Sequence, residues 1–470
     1  MRMRKRILII SYYFAPQNVI GAVRPTKIAK YLHRMGYDVT VLCSKSMSTL
    51  QDPLLQRDMA ELSNVITVRE RSLFRLWKER ALTPETPRAL TDRAVLPADN
   101  EGVHQRPTVQ ESEATPSVTE KTKVSPPQSS QAKPREASIR KRLLNALYIW
   151  LFERGDASFA RACTYQLLKA NQHYDIVLSC YGPISVHTIA RRAKRLHIAD
   201  RWIADFRDET SVPFSWQKAW LERYMRRIRK NADLLTVVSG GFIQMMQMES
   251  FARLIPNGYD TEDIADIPVM KNSENVLSFA YCGQLYAGHS DVTPVFEAVR
   301  ALIDLGSCDK ARFRFHYAGR QGEAFIAQAA AYGLADAVVD HGMLPRARSL
   351  ALQRAVDVLM MATWNTPERK GVITGKVLEY MMADRPVVCT VSGSIANSDA
   401  AALVESTGLG VGYEQAHANA DATRLQAFIK AMYDWRFAGA QTPFHPDRAQ
   451  IDRYAYPRIV EQIAELIENV

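Results

Sequence analysis

The sequence predicts an α/β protein composed of two Rossmann-like domains, each with a doubly wound parallel sheet. Short apolar runs alternate with segments of helical spacing between residues 7 and 239, and the alternation starts again near Ser278. This order of strands and helices is typical of parallel sheets that carry helices on both faces. The chain has 470 residues, which is long enough to bury two separate hydrophobic cores.

The first three predicted elements are a strand over 7–11, a helix over 24–35 and a strand over 39–43. The run Ile-Leu-Ile-Ile in the first strand is continuous and apolar, as expected for a parallel strand that is buried on both faces. Helical spacing places four apolar residues of the second element on one face. They are Ile28, Ala29, Leu32 and Met35.

The alternation resumes after residue 138. We expect strands over Asp175–Cys180, Arg201–Asp205 and Leu234–Ser239, separated by helices over Ile184–Leu196 and Trp216–Asn231. In the second series, Gly375 begins a helical pattern and Pro386 begins a Val-Val-Cys strand. An amphipathic helix over Tyr454–Asn469 follows.

Residues 83–138 interrupt the first series. This segment contains eight prolines, many Ser, Thr, Glu and Gln residues and no aromatic residue. Such a composition cannot bury enough apolar surface to offset the entropy of ordering the chain. We therefore predict a disordered insert.

The positive charge is concentrated in the first half of the chain. Residues 1–265 contain 41 Lys+Arg against 27 Asp+Glu, a net charge of +14, whereas residues 275–436 contain 15 against 16. A basic domain favours an anionic partner such as an anionic membrane surface or a phosphorylated acceptor, although a solvated basic helix face is the simpler alternative. No nucleic-acid motif accompanies the charge, so we expect no nucleic-acid partner.

Six scattered cysteines without a CxxC pair or metal-ligand spacing favour a reduced, cytoplasmic location. The basic N-terminus superficially resembles a signal peptide, but its apolar run ends at Pro16 without a cleavage site, so a first strand is the better interpretation. The most apolar helix candidate, 143–152, is too short to span a bilayer.

Ligands of open α/β sheets bind at the carboxyl ends of the strands. The first of these loops has no G-x-G-x-x-G pattern, so a nicotinamide or flavin cofactor is not indicated. It has Gly21 at a helix start, where the backbone can approach a diphosphate closely, although a plain turn is an equal alternative. Gly371–Lys376 also fails the P-loop pattern.

Gly375 and Lys376 begin a helical pattern near the C-terminus, with Glu379 one turn further on. Free N–H groups, the positive end of the helix dipole and an ammonium group together suit a phosphate. Glu379 at i, i+3 from Lys376 can accept hydrogen bonds from sugar hydroxyls. The alternative is an ordinary αβ unit with a surface Glu–Lys pair.

Several segments resemble family 4 glycosyltransferases, which have the GT-B fold. Thr374-Gly-Lys-Val-Leu-Glu-Tyr380 with Arg385-Pro-Val-Val resembles the donor-binding signature of that family. Ile7–Pro16 with Gly21-Ala-Val-Arg-Pro25 is similar to its first β–loop–α unit, and Ile255-Pro-Asn-Gly-Tyr-Asp260 to its interdomain segment. Phe279–Gly283 and His316–Gly319 resemble two strand ends of its donor domain. The order of these segments makes the set specific.

The resemblance implies a retaining, metal-independent glycosyltransferase of the bacterial exopolysaccharide or surface-glycan type. Residues 1–265 would bind the acceptor, residues 266–436 would bind the nucleotide sugar, and residues 437–470 would form a helix that returns toward the first domain. No cofactor is implied. The donor would be a nucleoside-diphosphate sugar, the acceptor a glycan or lipid-linked sugar, and the protein cytoplasmic with peripheral binding at the inner face of the plasma membrane.

The resemblance also assigns roles to individual residues. The expected catalytic residues are Lys376, Arg320 and Asp205. The expected donor-binding residues are Gly21, Gly283, Gly319, Thr374, Gly375 and Glu379. The expected acceptor-binding residues are Arg24, His187, Arg207 and Asp208. A salt bridge within Asp205–Asp208 and a packed helix histidine at His187 remain the alternatives for those positions.

The chain departs from the family pattern at three positions. Gly371 stands where the family has the first Glu of its E-x7-E motif. Gln284 and His289 stand where it has an Arg and a Lys after the first strand of the donor domain. These departures favour a non-catalytic GT-B scaffold as an alternative function. A sugar-nucleotide 2-epimerase, which shares the architecture, is the other alternative, and the basic first domain argues against it.

Overall fold

The computed structural model describes residues 4–45, 51–69, 157–207, 215–240, 243, 252–268, 275–367, 370 and 373–470. The predicted insert 83–138, the apolar segment 143–152, Asp208 and Gly371 lie outside the described residues.

The first domain is built on a seven-stranded parallel sheet. Its strands are β1 (Arg6–Ser11), β2 (Asp38–Ser44), β3 (Asn64–Val68), β4 (Tyr174–Cys180), β5 (Ala199–Phe206), β6 (Leu234–Val237) and β7 (Ala252–Leu254). The strand order is β3-β2-β1-β4-β5-β6-β7. Its helices are α1 (Ile20–Arg34), α2 (Pro53–Ala60), α3 (157–170), α4 (Ser185–Arg195) and α5 (Ser215–Asn231). The order reverses between β1 and β4, where ligands of such sheets bind.

The second domain is built on a six-stranded parallel sheet. Its strands are β8 (Leu277–Cys282), β9 (Phe313–Ala318), β10 (Val338–Asp340), β11 (Val358–Trp364), β12 (Val387–Ser392) and β13 (Gly410–Glu414). The order β10-β9-β8-β11-β12-β13 reverses between β8 and β11. Its helices are α6 (Thr293–Asp304), α7 (Gly322–Ala330), α8 (Arg346–Ala355), α9 (Gly375–Ala383), α10 (Asp399–Ser406) and α11 (Ala418–Ala438). The two sheets confirm the predicted α/β architecture.

The chain ends with α12 (Arg448–Asp452) and α13 (Tyr456–Asn469), and α13 packs against α1 of the first domain. Tyr456, Ile459, Val460, Ile463 and Ile467 of α13 are buried in the same cluster as Ile7 and Ile28. The apolar face of the amphipathic tail thus completes the core of the first domain.

Helix α1 differs from its prediction. It begins at Ile20, four residues before the predicted start, and Met35 is 40% exposed. The helix is buried almost all round between the sheet, α2 and α13, so that the charged residues Arg24, Lys27 and Lys30 are buried as well. Within the described part of the chain, no helix is long and apolar enough to cross a membrane.

Candidate functional site

The starts of α1 and α9 lie opposite each other in the cleft between the domains. A Cβ atom built on Gly375, the first residue of α9, would lie 3.6 Å from the Cδ1 atom of Ile20, the first residue of α1. The capping residues Val19 and Thr374 make no side-chain hydrogen bond to either helix start. Two uncapped helix starts, each with free N–H groups and a positive dipole end, therefore face one space.

Lys376 extends from the start of α9 across the end of β8. Gly283 has φ +120°, and a Cβ atom at that position would lie 2.8 Å from the Cε atom of Lys376. The Lys376 Nζ atom lies 3.5 Å from the carbonyl oxygen of Gln284 and 5.0 Å from the centroid of the Tyr281 ring. Burial lowers the pKa of Lys376, and the nearby Glu379 opposes this effect. Glycine is thus required at position 283 for two reasons: its φ is positive, and a side chain there would clash with the aliphatic part of Lys376.

Glu379 lies on the same helix, and its side chain is 31% exposed. Its Oε2 atom accepts a hydrogen bond of 3.1 Å from Gln353 Nε2, and its Oε1 atom lies 3.8 Å from Arg346 Nε. Three buried polar atoms of the second domain have no hydrogen-bond partner among the described residues, one at the start of α9, one within α8 and one at the end of β11. These are Thr374 Oγ1, Gln353 Oε1 and Trp364 Nε1. This part of the second domain therefore contains buried donors and acceptors that no described group satisfies.

The first domain contributes Arg207 to its side of the cleft. The Arg207 Nε atom donates a hydrogen bond of 2.7 Å to the carbonyl oxygen of Tyr181. A Cβ atom at Gly21 or Gly182 would lie 2.5 or 2.6 Å from a guanidinium nitrogen of Arg207. The two glycines therefore allow the guanidinium group to lie directly on the backbone at the start of α1.

Gly319 and Arg320 follow β9, the neighbour of β8. A Cβ atom at Gly319 would lie 2.4 Å from the carbonyl oxygen of Gly283, so this glycine is required by packing between two strand ends. Arg320 is exposed and has no ion pair or hydrogen bond with any described residue. The structure therefore brings Lys376, Gly283, Gly319 and Glu379 together, with the exposed Arg320 at the edge.

Asp205 and Arg24 lie behind the cleft surface, which corrects their assignment to substrate contact. Their side chains are 1% and 2% exposed and form a two-pronged ion pair, with distances of 2.9 and 2.8 Å. Thr236 Oγ1 donates a further bond of 2.7 Å to Asp205. Burial alone would raise the pKa of Asp205, but Arg24 and Thr236 hold it below its ordinary value. Both residues position the strand ends.

His187 is also buried, so the alternative of a packed helix histidine describes it better than acceptor contact. It is 0% exposed, lies against Tyr181 and Phe206, and its Nδ1 atom is 2.8 Å from Ser179 Oγ. Burial lowers its pKa to about 3. The imidazole is therefore neutral in the folded protein at every pH near neutrality.

We expect His187 to make the protein less stable in mild acid. The unfolded chain binds a proton at this residue below pH 6.5 and the folded chain does not. The free energy of unfolding should therefore fall as the pH decreases from 6.5 toward 3, by up to about 1.4 kcal/mol per pH unit. Urea unfolding of His187→Phe between pH 7 and 4.5 should show a shallower fall than the wild type. The exposed His173, changed to Asn, is the matched control, and equal slopes for both variants would contradict the assignment.

Sequence reasoning missed a buried ion network beside the cleft. Lys27 Nζ lies 2.6 Å from Asp58, 2.7 Å from Asp260 and 2.5 Å from Asp263. Lys30 Nζ lies 2.8 Å from Asp58 and 2.9 Å from Asp260. Both lysines are 0% exposed, yet their carboxylate partners hold their pKa values above the ordinary value against the effect of burial.

This network also answers whether its carboxylates form a metal site. Among the described residues, Asp58, Asp260 and Glu262 are the one group of acidic side chains close enough together to share an ion. Lys27 and Lys30 already occupy the space between these oxygens, so the group fits two ammonium ions. The signal in the sequence was the placement of two lysines within the buried stretch of α1, next to Ile28 and Ala29.

Residues 277–425 match the family model described as "Glycosyl transferases group 1". No curated protein matches the chain. The matched segment covers the second domain, which carries Lys376 and Glu379. The match is therefore to this domain and not to the whole chain.

The overall fold is the two-domain GT-B fold. Sucrose-phosphate synthase from Thermosynechococcus elongatus is similar over 99% of both chains, with a TM-score of 0.54 and 14% identity. The lipopolysaccharide outer core galactosyltransferase WaaB also aligns over 99% of both chains, with a TM-score of 0.53 and 10% identity. The N-terminal domain of a Candida albicans trehalose-6-phosphate phosphatase is similar over 99% of this chain and 97% of that one, with a TM-score of 0.57 and 11% identity. At such identities the likeness concerns the fold.

Proposed function

We propose that this protein transfers a sugar from a nucleoside-diphosphate sugar to a glycan or lipid-linked acceptor in surface-polysaccharide synthesis. The observation that carries the proposal is the cradle formed by two uncapped helix starts and the ammonium group of Lys376. A diphosphate placed there meets the N–H groups of α1 and α9 and a half-buried cation. The match of residues 277–425 to a glycosyltransferase family supports the same assignment.

The chemistry proposed for this cradle is stabilisation of the leaving group. As the glycosidic bond to the donor breaks, negative charge develops on the nucleoside diphosphate and an oxocarbenium-like sugar forms. Lys376, the two helix starts and Arg320 would stabilise that charge without a metal ion, since fixed dipoles in a partly dry cleft need no reorganisation. The acceptor hydroxyl would attack from the side on which the diphosphate leaves and would pass its proton to a diphosphate oxygen, and the configuration would be retained.

Glu379 would hold the donor, and Arg207 would face the acceptor. The exposed part of the Glu379 carboxylate can accept hydrogen bonds from ribose hydroxyls. Arg207, fixed by Tyr181 above Gly21, places a guanidinium group beside the start of α1. A phosphate of a lipid-linked acceptor is a suitable partner for such a fork of donors.

Calorimetric titration with UDP and GDP tests the proposal at its first step and identifies the base. We expect one of the two to bind the protein of residues 1–470 and the other to bind much more weakly. The protein is then incubated with sugars linked to that nucleoside diphosphate. Addition of a membrane extract that contains the acceptor should release the free nucleoside diphosphate. A protein that binds neither nucleotide would contradict the transferase assignment and favour the non-catalytic scaffold.

The first domain also carries a surface suited to anionic lipid. Arg191 and Arg195 on α4 lie close to Arg227 on α5, and burial together with these neighbours lowers the pKa of Arg191. No described acidic side chain forms an ion pair with these three residues. Leu196 at the end of α4 is 49% exposed beside them. A basic group next to an exposed apolar side chain is typical of peripheral membrane surfaces.

We expect the protein to float with anionic vesicles at low salt and to be released at high salt, because screening weakens surface attraction. Changing Arg191, Arg195 and Arg227 together to Glu should abolish flotation. Three matched reversals on the second domain, Lys310→Glu, Arg424→Glu and Lys430→Glu, should leave it unchanged. Equal binding of the wild type to neutral and anionic vesicles would contradict this proposal.

A further inference from the structure

Arg346 joins the two domains beside Glu379. It is the first residue of α8, and its side chain is 19% exposed. The guanidinium group contacts three carboxylates, with nitrogen–oxygen distances of 2.9 Å to Asp263, 3.3 Å to Asp52 and 3.8 Å to Glu379. Asp52 caps α2 of the first domain, and Asp263 lies in the turn that follows the interdomain segment. One guanidinium group is therefore shared between Glu379 of α9 and two carboxylates that lie outside the second domain.

The two carboxylates outside the second domain are fixed in place. Asp52 Oδ1 accepts the backbone N–H of Leu54 at 2.9 Å as the cap of α2. Asp263 Oδ1 accepts a bond of 2.5 Å from Lys27 within the buried ion network. The carboxylates of Asp52 and Asp263 are therefore both fixed to the first domain. The guanidinium group is held by that domain, although its backbone belongs to α8.

Glu379 depends on the same guanidinium group. Gln353, which lies two turns after Arg346 on α8, donates a hydrogen bond of 3.1 Å from Nε2 to Glu379 Oε2. The Glu379 Oε1 atom lies 3.8 Å from Arg346 Nε, which is too far for a hydrogen bond. The closer contacts of Arg346 with Asp263 and Asp52 thus keep it from closing fully onto Glu379. Burial alone would lower the pKa of Arg346, but Asp263, Glu379 and Asp52 hold it above the ordinary value. The arginine therefore stays charged.

We propose that Arg346 is a positioning residue that links the arrangement of the two domains to the availability of Glu379 for the donor nucleotide. The inference rests on the proposed function, because its readout is nucleoside-diphosphate binding. With Asp52 and Asp263 in place, the guanidinium group is held back and the Glu379 carboxylate can accept hydroxyl groups. When the domains separate, or when one of these carboxylates is lost, Arg346 closes onto Glu379 and competes with the ligand.

Four proteins test this coupling by calorimetric titration with UDP and GDP. They are the wild type, Asp52→Asn, Arg346→Gln and the double variant. Asparagine keeps the helix cap and removes only the charge. We expect Asp52→Asn to weaken nucleotide binding about threefold or more, as for coupled charged neighbours. The same change should have no further effect in the Arg346→Gln background, since no guanidinium group is left to release.

Two controls separate this coupling from a general loosening of the interface. Arg354 on α8 bonds the carbonyl oxygens of Ile264 and Ile267 in the interdomain region but does not touch Glu379. In an Arg354→Gln background, Asp52→Asn should keep its full effect. Arg346→Lys retains the charge, so the effect should also persist there. A melting temperature for each variant shows whether it is folded.

The outcomes distinguish this inference from the proposed function. If Asp52→Asn weakens binding equally in the wild-type and Arg346→Gln backgrounds, or not at all, the coupling is overturned while nucleotide binding by the wild type still supports the transferase. If the wild type binds neither nucleotide, the result contradicts both the coupling and the proposed function. If Arg346→Gln does not fold, Arg346→Met takes its place as the background without a guanidinium group, and an undiminished Asp52→Asn effect there overturns the coupling.

Discussion

Lys376→Ala is expected to weaken binding of the cognate nucleoside diphosphate by about 1.5–3 kcal/mol, the range of a charge-assisted hydrogen bond. This corresponds to a loss of affinity of roughly 10- to 150-fold. The reason is that Lys376 places a half-buried ammonium group at the meeting point of two helix starts, above Gly283. Calorimetric titration of the purified variant measures the change directly.

Three further variants make this result interpretable. Lys376→Arg keeps the charge and should retain part of the affinity, although its planar fork cannot lie over Gly283 in the same way. Glu379→Gln keeps the shape and the Gln353 contact on one side, so it should weaken donor binding less than Glu379→Ala. Lys430, a lysine on the surface of α11, provides the matched control as Lys430→Ala. Wild-type affinity in both Lys376→Ala and Glu379→Ala would show that the nucleotide binds elsewhere.

The second large effect concerns stability. Asp205→Ala should lower the free energy of unfolding by about 3–5 kcal/mol, because it leaves the guanidinium group of Arg24 buried without its counter-ion. Arg24 also donates to the carbonyl oxygens of Ile255 and Pro256, so it ties α1 and the end of β5 to the interdomain segment. Urea unfolding followed by circular dichroism measures the loss.

A double variant tests whether the cost comes from the unpaired charge. Arg24→Met with Asp205→Leu removes both charges, so it should cost less than the sum of the two single changes. Arg6→Ala, which breaks an exposed pair with Asp38, should change the stability little. A single Asp205→Ala variant as stable as the wild type would show that Arg24 is solvated in solution.

The sequence was sufficient for elements that depend on local patterns. The central parallel strands were visible because each is a mostly apolar run, and α9 because Gly375 and Lys376 begin its periodic pattern. Strand ends also indicated Asp205 and Arg207 as residues near the cleft. Only Arg207 faces it, because the direction of Asp205 is decided by Arg24, which lies 181 residues away in the chain.

The ion network could not be predicted in the same way. Lys27 and Asp263 are separated by 236 residues, and Arg346 and Asp52 by 294. Each residue alone reads as an ordinary surface charge, because pairing between distant segments leaves no periodic signal. The same applies to Gln353, whose contact with Glu379 depends on the packing of α8 against α9. The two helix starts of the candidate site were therefore predictable, and the contacts that orient its side chains were not.

Helix α13 has a consequence for how the chain folds during translation. Its five buried residues complete the core of the first domain, but the ribosome makes them only after all described strands of the second domain. The second domain has its strands within residues 277–414, and its cores are completed by Leu425, Ile429, Met432 and Ile451, all made before α13. It can therefore fold before α13 emerges. The first domain, although made first, must keep part of its apolar surface uncovered until residues 456–467 arrive. During synthesis it is therefore the N-terminal half that most needs protection by chaperones.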